Sequence, residues 1–168
     1  MEKYIHFTKF NIEKIESIFK YGIRTPFSLM INGITKIENN NTYNGTFFTS
    51  LTKENNTKKS IYRIFSSSPY YIGIEVEIDK VYSTNNNYNI FSNTPIPIRY
   101  SPYDDEWQTN KTIKTENFKT IYVPLAIAKL NTSENEYNEL IKKVEQLKEL
   151  MKIYNINIPI INQKVYIK

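Results

Sequence analysis

The chain has 168 residues, 40% of them hydrophobic and 14% aromatic, with 14 Tyr and 9 Phe, which is enough apolar chain to bury a core in a single domain spanning residues 1–168. It has no Cys and a single His, which excludes disulfides, a thiolate nucleophile and Cys-ligated metal, and argues against a structural zinc site. The formal charge of +5 leans toward a polyanionic partner, although Lys and Arg are spread along the chain without a long basic run. No stretch approaches the ~20 apolar residues of a membrane span, and MEKYIHFTKF lacks a signal-peptide core. The expectation is a protein kept in the reducing cytoplasm, with no membrane partner.

In chain order, the apolar-rich run that begins at Tyr4 reads as a short strand holding His6 and Thr8. Asn11 is a good N-cap, because its side-chain oxygen can accept from a free N–H of the first helical turn. Ile12, Ile15, Ile18 and Phe19 then share one helical face. Gly22 falls where a left-handed residue closes a helix, with Ile23 folding back onto Ile18, and Pro26 stops any continuation. His6 and Thr8 therefore stand at a strand end beside the positive end of a helix, where an anion or a sugar-phosphate can be held.

The stretch after Pro26, FSLMINGITKI, is a short strand, a hairpin or a pocket-lining loop. Asn39–Asn44 is a loop ended by Gly45, and Thr46–Leu51 reads as a strand. Lys58–Phe65 reads as a short helix carrying Ile61, Tyr62, Ile64 and Phe65, ended by Ser66–Pro69. Tyr70–Asp79 is the clearest strand: Ile72, Ile74, Val76 and Ile78 alternate with Gly73, Glu75, Glu77 and Asp79, which places both glutamates in solvent. Ile90–Glu106 carries three prolines and is irregular or extended. The runs EWQT and Phe118–Leu130 read as two further strands, with a turn or short helical step at Thr115–Asn117. Ser133 opens the longest helix, about residues 133–154, through a capping box with Glu136. Its apolar stripe is Tyr137, Leu140, Ile141, Val144, Leu147, Met151 and Tyr154, and Glu139 and Lys143 form an i,i+4 pair. The remainder, Ile156–Lys168, is β-prone with a turn at Asn162–Gln163.

Metal-ligand spacing, a Gly-rich phosphate loop and a G-x-S-x-G elbow are all absent from the sequence. What remains for chemistry is His6, the hydroxyls of Thr8 and the tyrosines, and the carboxylates Asp104, Asp105 and Glu106 ahead of a strand. On composition alone such a cluster is a solvated loop, and a lone His at a strand end is a satisfied structural residue.

The arrangement resembles a family. HFTKFNIEKIESIFKYGI is similar to the opening motif of the ADP-ribosyltransferase fold, most closely its DarT-like branch, in which a strand with His and a small hydroxyl residue precedes a helix ending in Gly-Ile or Gly-Leu. TYNGTFFTSLTKEN, SIYRIF and YYIGIEVEID resemble that fold's middle strand–helix–strand segment. DDEWQTNKTIKTENFKTIYV is similar to its closing segment, where a glutamate starts a strand. The likeness runs in the family's order over residues 4–124, while the Asn32–Asn44 stretch and the C-terminal helix have no counterpart in it.

The resemblance implies a single α+β domain with a split, mostly antiparallel sheet, to which this chain adds its C-terminal helix. It implies NAD as substrate, with His6 bonding a ribose hydroxyl and Thr8 supporting the nucleotide through side chain or backbone. Tyr62 would stack on nicotinamide, with Tyr70 or Tyr71 as alternatives, and Glu106 would be the catalytic acid residue. Arg24 or Arg63 is available to pair with the pyrophosphate by charge alone. The strand of His6 is expected beside the strand that begins near Glu106, both opening into one cleft. The implied activity is NAD-dependent ADP-ribosyl transfer to a macromolecule in a toxin, defence or host-modifying setting. Charge and tyrosine content favour single-stranded DNA or RNA as the acceptor, with a protein or small molecule as the competing target. The alternative is an inactive relative serving as a binding or inhibitor module. An RNA 2′-phosphate transferase fits less well, because that chemistry needs several Arg and His residues and this chain has one His.

Overall fold

The computed structural model describes residues 2–24, 49–53, 65–78, 82–83, 88–89, 94–95, 106–109 and 112–163. Its elements are β1 (Glu2–Lys9), α1 (Ile12–Tyr21), β2 (Thr49–Lys53), β3 (Tyr71–Ile78), β4 (Tyr82–Ser83), β5 (Tyr88–Asn89), β6 (Thr94–Pro95), β7 (Glu106–Thr109), β8 (Phe118–Val123), α2 (Leu125–Asn131), α3 (Glu134–Ile153) and β9 (Ile160–Asn162). One 3-10 turn, Thr115–Asn117, leads into β8. Seven strands form one sheet in the order β4-β7-β2-β1-β3-β8-β9, and β5 and β6 pair separately. Neighbours are antiparallel throughout except β8 and β9, which run parallel. The described elements form an α+β arrangement.

Alternation along β1 divides the sheet into two faces. On one face Tyr4 and Phe10, with Ile72, Ile74 and Val76 of β3, join Ile15, Ile18 and Phe19 of α1 and Leu140, Val144, Leu147, Leu150 and Met151 of α3 in one core. β8 reaches the same core through Phe118, Ile121 and Val123, a spacing that strict alternation forbids. A bulge resolves it: Glu75 pairs with Thr120 and Val76 with Phe118, so Lys119 has no opposite partner.

The other face is covered too, which corrects the expectation for Glu75. Phe7 stacks on Phe65 with ring centroids 5.6 Å apart, and Phe65 packs on Tyr71 at 4.9 Å. Glu75 is 4% exposed. Its carboxylate accepts from Thr120 Oγ1 at 3.1 Å and Tyr122 Oη at 3.5 Å. Glu77, half-buried, pairs with Lys119 at 3.8 Å.

The helix ends follow the sequence closely. Asn11 Oδ1 accepts from Lys14 N at 2.9 Å, and Ser133 Oγ from Glu136 N at 3.2 Å. Two expectations change. Phe118–Leu130 is not one strand: Pro124 ends β8 and takes the N-cap position of α2, where its missing N–H costs no hydrogen bond. Pro124 also has no N–H to offer the end of β3, and the Gln163 side-chain amide donates to Tyr71 O at 3.1 Å there. Glu139 pairs not with Lys143 but with Lys142, at 3.1 Å. The expected helix at 58–65 lies outside the described residues except at Phe65, as do Pro26 and the Asn39–Asn44 loop. Among the described residues no helix is long and apolar enough to cross a membrane.

Gly22 closes α1, its N–H donating to Ile18 O at 2.7 Å, but with φ 82° and ψ 178° rather than a left-handed helical pair. Only glycine adopts that combination at low cost. It turns Ile23 into a two-way main-chain bridge with Ile113, 2.9 Å each way, and a Cβ on Gly22 would lie 2.5 Å from Ile113 O. Gly22→Ala is expected to lower unfolding free energy by about 2–4 kcal/mol, read as a shift in urea midpoint with an unchanged slope.

Candidate functional site

β1 is paired unevenly. It meets β3 from Glu2↔Ile78 through Lys9↔Tyr71, but meets β2 at Tyr4↔Lys53 and Ile5↔Thr52 and at no further described position. Pairing on the β2 side therefore stops one residue before His6, and the sheet parts along His6–Lys9. Among the described residues the seam between β4-β7-β2 and β1-β3-β8-β9 is two residue pairs.

His6 is half-buried, opposite Ile74 and between Tyr4 and Thr8 on the face that α1 and α3 cover. Thr8 is 4% exposed, and its Oγ1 is enclosed without a hydrogen-bond partner among the described residues. The start of β7 is brought near by register. Glu106 is the partner of Thr52, and Thr52 is the partner of Ile5, so Glu106 stands in the same cross-strand row as the last β1–β2 pair. β7 is not β1's neighbour, however: β2 lies between them, and two strand spacings are about 10 Å. Opposite residues share a face, so the row of Ile5, Thr52 and Glu106 belongs to the face opposite that of Tyr4, His6 and Thr8, and the expected single cleft does not follow from the register. Tyr62, Arg63, Asp104 and Asp105 lie outside the described residues. Of the alternative aromatics, Tyr71 is engaged by Phe65, while Tyr70 is 63% exposed. Arg24 donates to Ser17 Oγ at 3.2 Å and lies over the Tyr21 ring, 4.6 Å from its centroid.

Beyond Thr8 the chain turns into α1 through Phe10 and Asn11, and hydrogen bonds fix this junction. Phe10 N–H donates to Tyr70 O at 2.9 Å, Asn11 N–H to Lys9 O at 2.8 Å, and Asn11 O accepts from Ile15 N at 3.0 Å. A cavity of about 490 Å³ opens beside it, lined in part by Lys9, Phe10, Tyr70, Asn135 and Lys143. That volume is in the range of small-molecule sites, ~300–1,000 Å³. The sequence reading did not single out Glu75, whose alternating pattern suits a solvent face, or Lys143, whose i−4 glutamate suits a surface pair. No residue pattern signals either contact, because both depend on elements distant in the chain.

No family model matches this chain, and no curated protein does. Among solved structures it is similar to Thermosipho africanus DarTG in complex with ADP-ribose, with a TM-score of 0.49 and 14% sequence identity. The superposition covers 96% of this chain and 50% of that one, so the chain spans half the length of that protein.

Thr8 yields a direct test of the site's resting state. Valine keeps its shape and removes a hydroxyl that has no partner among the described residues, so Thr8→Val is expected to raise stability by about 1 kcal/mol. Thermal or urea unfolding of the variant beside wild type measures it.

Proposed function

We propose that this chain transfers the ADP-ribosyl group of NAD to a macromolecule, with single-stranded nucleic acid as the acceptor. The observation that supports the reading is the parting of β1 from β2 at His6, with the start of β7 two strands away. Two segments distant in sequence, each resembling a motif of ADP-ribosyltransferases, stand within two strands of each other there. His6 and Glu106 are the residues we assign to that chemistry, His6 to a ribose hydroxyl and Glu106 to the reacting carbon, with Tyr62 stacking on nicotinamide and Thr8 supporting the nucleotide.

The chemistry asks little else of the protein. Breaking the bond between nicotinamide nitrogen and ribose C1′ releases neutral nicotinamide and leaves positive charge on the sugar. A fixed carboxylate stabilises that charge as it develops. The same carboxylate takes the proton of the acceptor hydroxyl or amine as that group attacks C1′. His6, as a hydrogen-bond donor to a ribose hydroxyl, orients the sugar so that one face meets the acceptor. The acceptor assignment rests on the net charge and the tyrosines: lysines follow phosphates while exposed rings stack on unpaired bases.

Glu106→Gln keeps size and hydrogen bonding but removes the charge. NAD affinity is expected to persist while nicotinamide release falls by about 10²–10³-fold. A variant that turns over at the wild-type rate sinks the assignment of Glu106, and a wild type that binds no NAD sinks the reading as a whole. For the acceptor, affinity for labelled single strands is expected to fall with salt at a log–log slope of about −0.7 per phosphate contacted. A mass increase from NAD on DNA or RNA identifies the acceptor. Labelling confined to proteins in lysate discards the nucleic-acid assignment and leaves the transferase reading standing.

A further inference from the structure

We infer that Lys143 of α3 is a positioning residue for the strand that carries His6 and Thr8. Its ammonium donates to the main-chain carbonyl of Phe10 at 3.2 Å, across 133 positions of sequence. The same ammonium lies 6.0 Å from the centre of the Phe10 ring. Phe10 is 4% exposed, while Lys143 is exposed, so the bond between them is half-buried. The other main-chain bonds of that junction, from Phe10 N–H, Asn11 N–H and Asn11 O, are made to nearby turns or to the lead-in of β3. The Phe10 carbonyl takes its donor from a side chain of a different element.

The choice of partner separates Lys143 from its neighbours on α3. Lys142, Lys148 and Lys152 each pair with the glutamate three residues earlier, at 3.1–3.2 Å. Lys143 makes no ion pair among the described residues, although Glu139 stands one turn before it. A charged donor on a neutral carbonyl is a stronger bond than its neutral counterpart, and three N–H groups let the ammonium serve the carbonyl while staying hydrated. The docking of α3 rests on a separate set of side chains, the buried Leu140, Val144, Leu147, Leu150 and Met151. Removing the Lys143 head group therefore leaves the helix seated and frees the turn that follows Thr8. The bond holds the end of β1 at a fixed height against α3, and with it the direction of the half-parted strand.

The functional side of this inference rests on the reading of β1 as part of an NAD site, and the structural side does not. Lys143→Met keeps the apolar stem without donors, and Lys143→Arg restores a donor. In hydrogen exchange, Lys143→Met is expected to speed the amides of Phe10, Asn11 and Lys14 by about 3- to 10-fold relative to wild type. Amides later in α1 and in α3 are expected to keep their rates, and Lys143→Arg to return the junction toward wild type. For NAD, the Met variant is expected to raise KM by a similar factor with kcat less affected. Unchanged exchange at the junction, or exchange that rises uniformly over α1 and α3, overturns the positioning role. Altered junction exchange in a protein that neither binds nor consumes NAD keeps the positioning of β1 and removes the proposed activity. Altered exchange with an unchanged KM for NAD confines Lys143 to local order and overturns its role in the site.

Discussion

The uneven pairing of β1 is the constraint on which the described structure depends. A strand at the centre of a sheet is ordinarily held from both sides along its length. Here the β3 side supplies a ladder over all eight residues of β1, while the β2 side supplies two pairs among the described residues. The long ladder fixes which residues face the helices, because a slip of one position would exchange Tyr4 and Val76 for Ile5 and Glu75. The short seam leaves the second half of β1 without that strand as a neighbour. Its direction is then set from below by the core and from its end by the turn into α1.

Compensation for departures from regularity recurs around this frame. The bulge at Lys119 lets Phe118 reach the same core as Ile121 and Val123 while Thr120 turns to the opposite face. That turn is what supplies Glu75 with a hydroxyl at 3.1 Å. At the far end of β8, Pro124 cannot donate, and a glutamine amide reaches the carbonyl of Tyr71. The two arrangements act on the same strand pair, one by adding a residue and the other by lending a side chain. Together they let an irregular strand close the core without stranding the main-chain groups of its neighbour.

Local rules were legible in the sequence wherever the deciding contacts are local. Asn11, Ser133 and Gly22 mark helix ends because capping involves residues three or four apart, and the structure places helix ends at all three. The period of two in Ile72–Ile78 identifies β3, but it cannot tell a solvated second face from a covered one, and Glu75 is read wrongly for that reason. The helix at Leu125–Asn131 was missed although its signal is present: a proline followed by Leu, Ala, Ile, Ala, Lys and Leu suits a helix start better than a strand interior. Glu139 chose Lys142 over Lys143 because a carbonyl from the far end of the chain competes for the latter, and no window of sequence contains both partners. At the candidate site, the motif order led to the expectation that the strand of Glu106 adjoins that of His6 and shares its cleft, and the register does not give that arrangement. The intervening β2 was not anticipated, since strand order is a property of the whole sheet.

The bonds that tie α3 and β9 to the rest of the chain span long stretches of sequence. Phe10 waits for Lys143, Glu16 for Tyr154 at 2.9 Å, and Tyr71 for Gln163. Synthesis proceeds at about 5–20 residues per second, so a growing chain presents β1 and α1 for several seconds before their partners from α3 exist. Such non-local closure slows folding, because chain entropy is lost before the contacts that offset it form. During that interval β2 is the first strand that β1 can meet, and the eight-pair ladder with β3 follows it. The side of β1 with few pairs is therefore made before the side with the complete ladder, and the helix that holds the end of the strand arrives last.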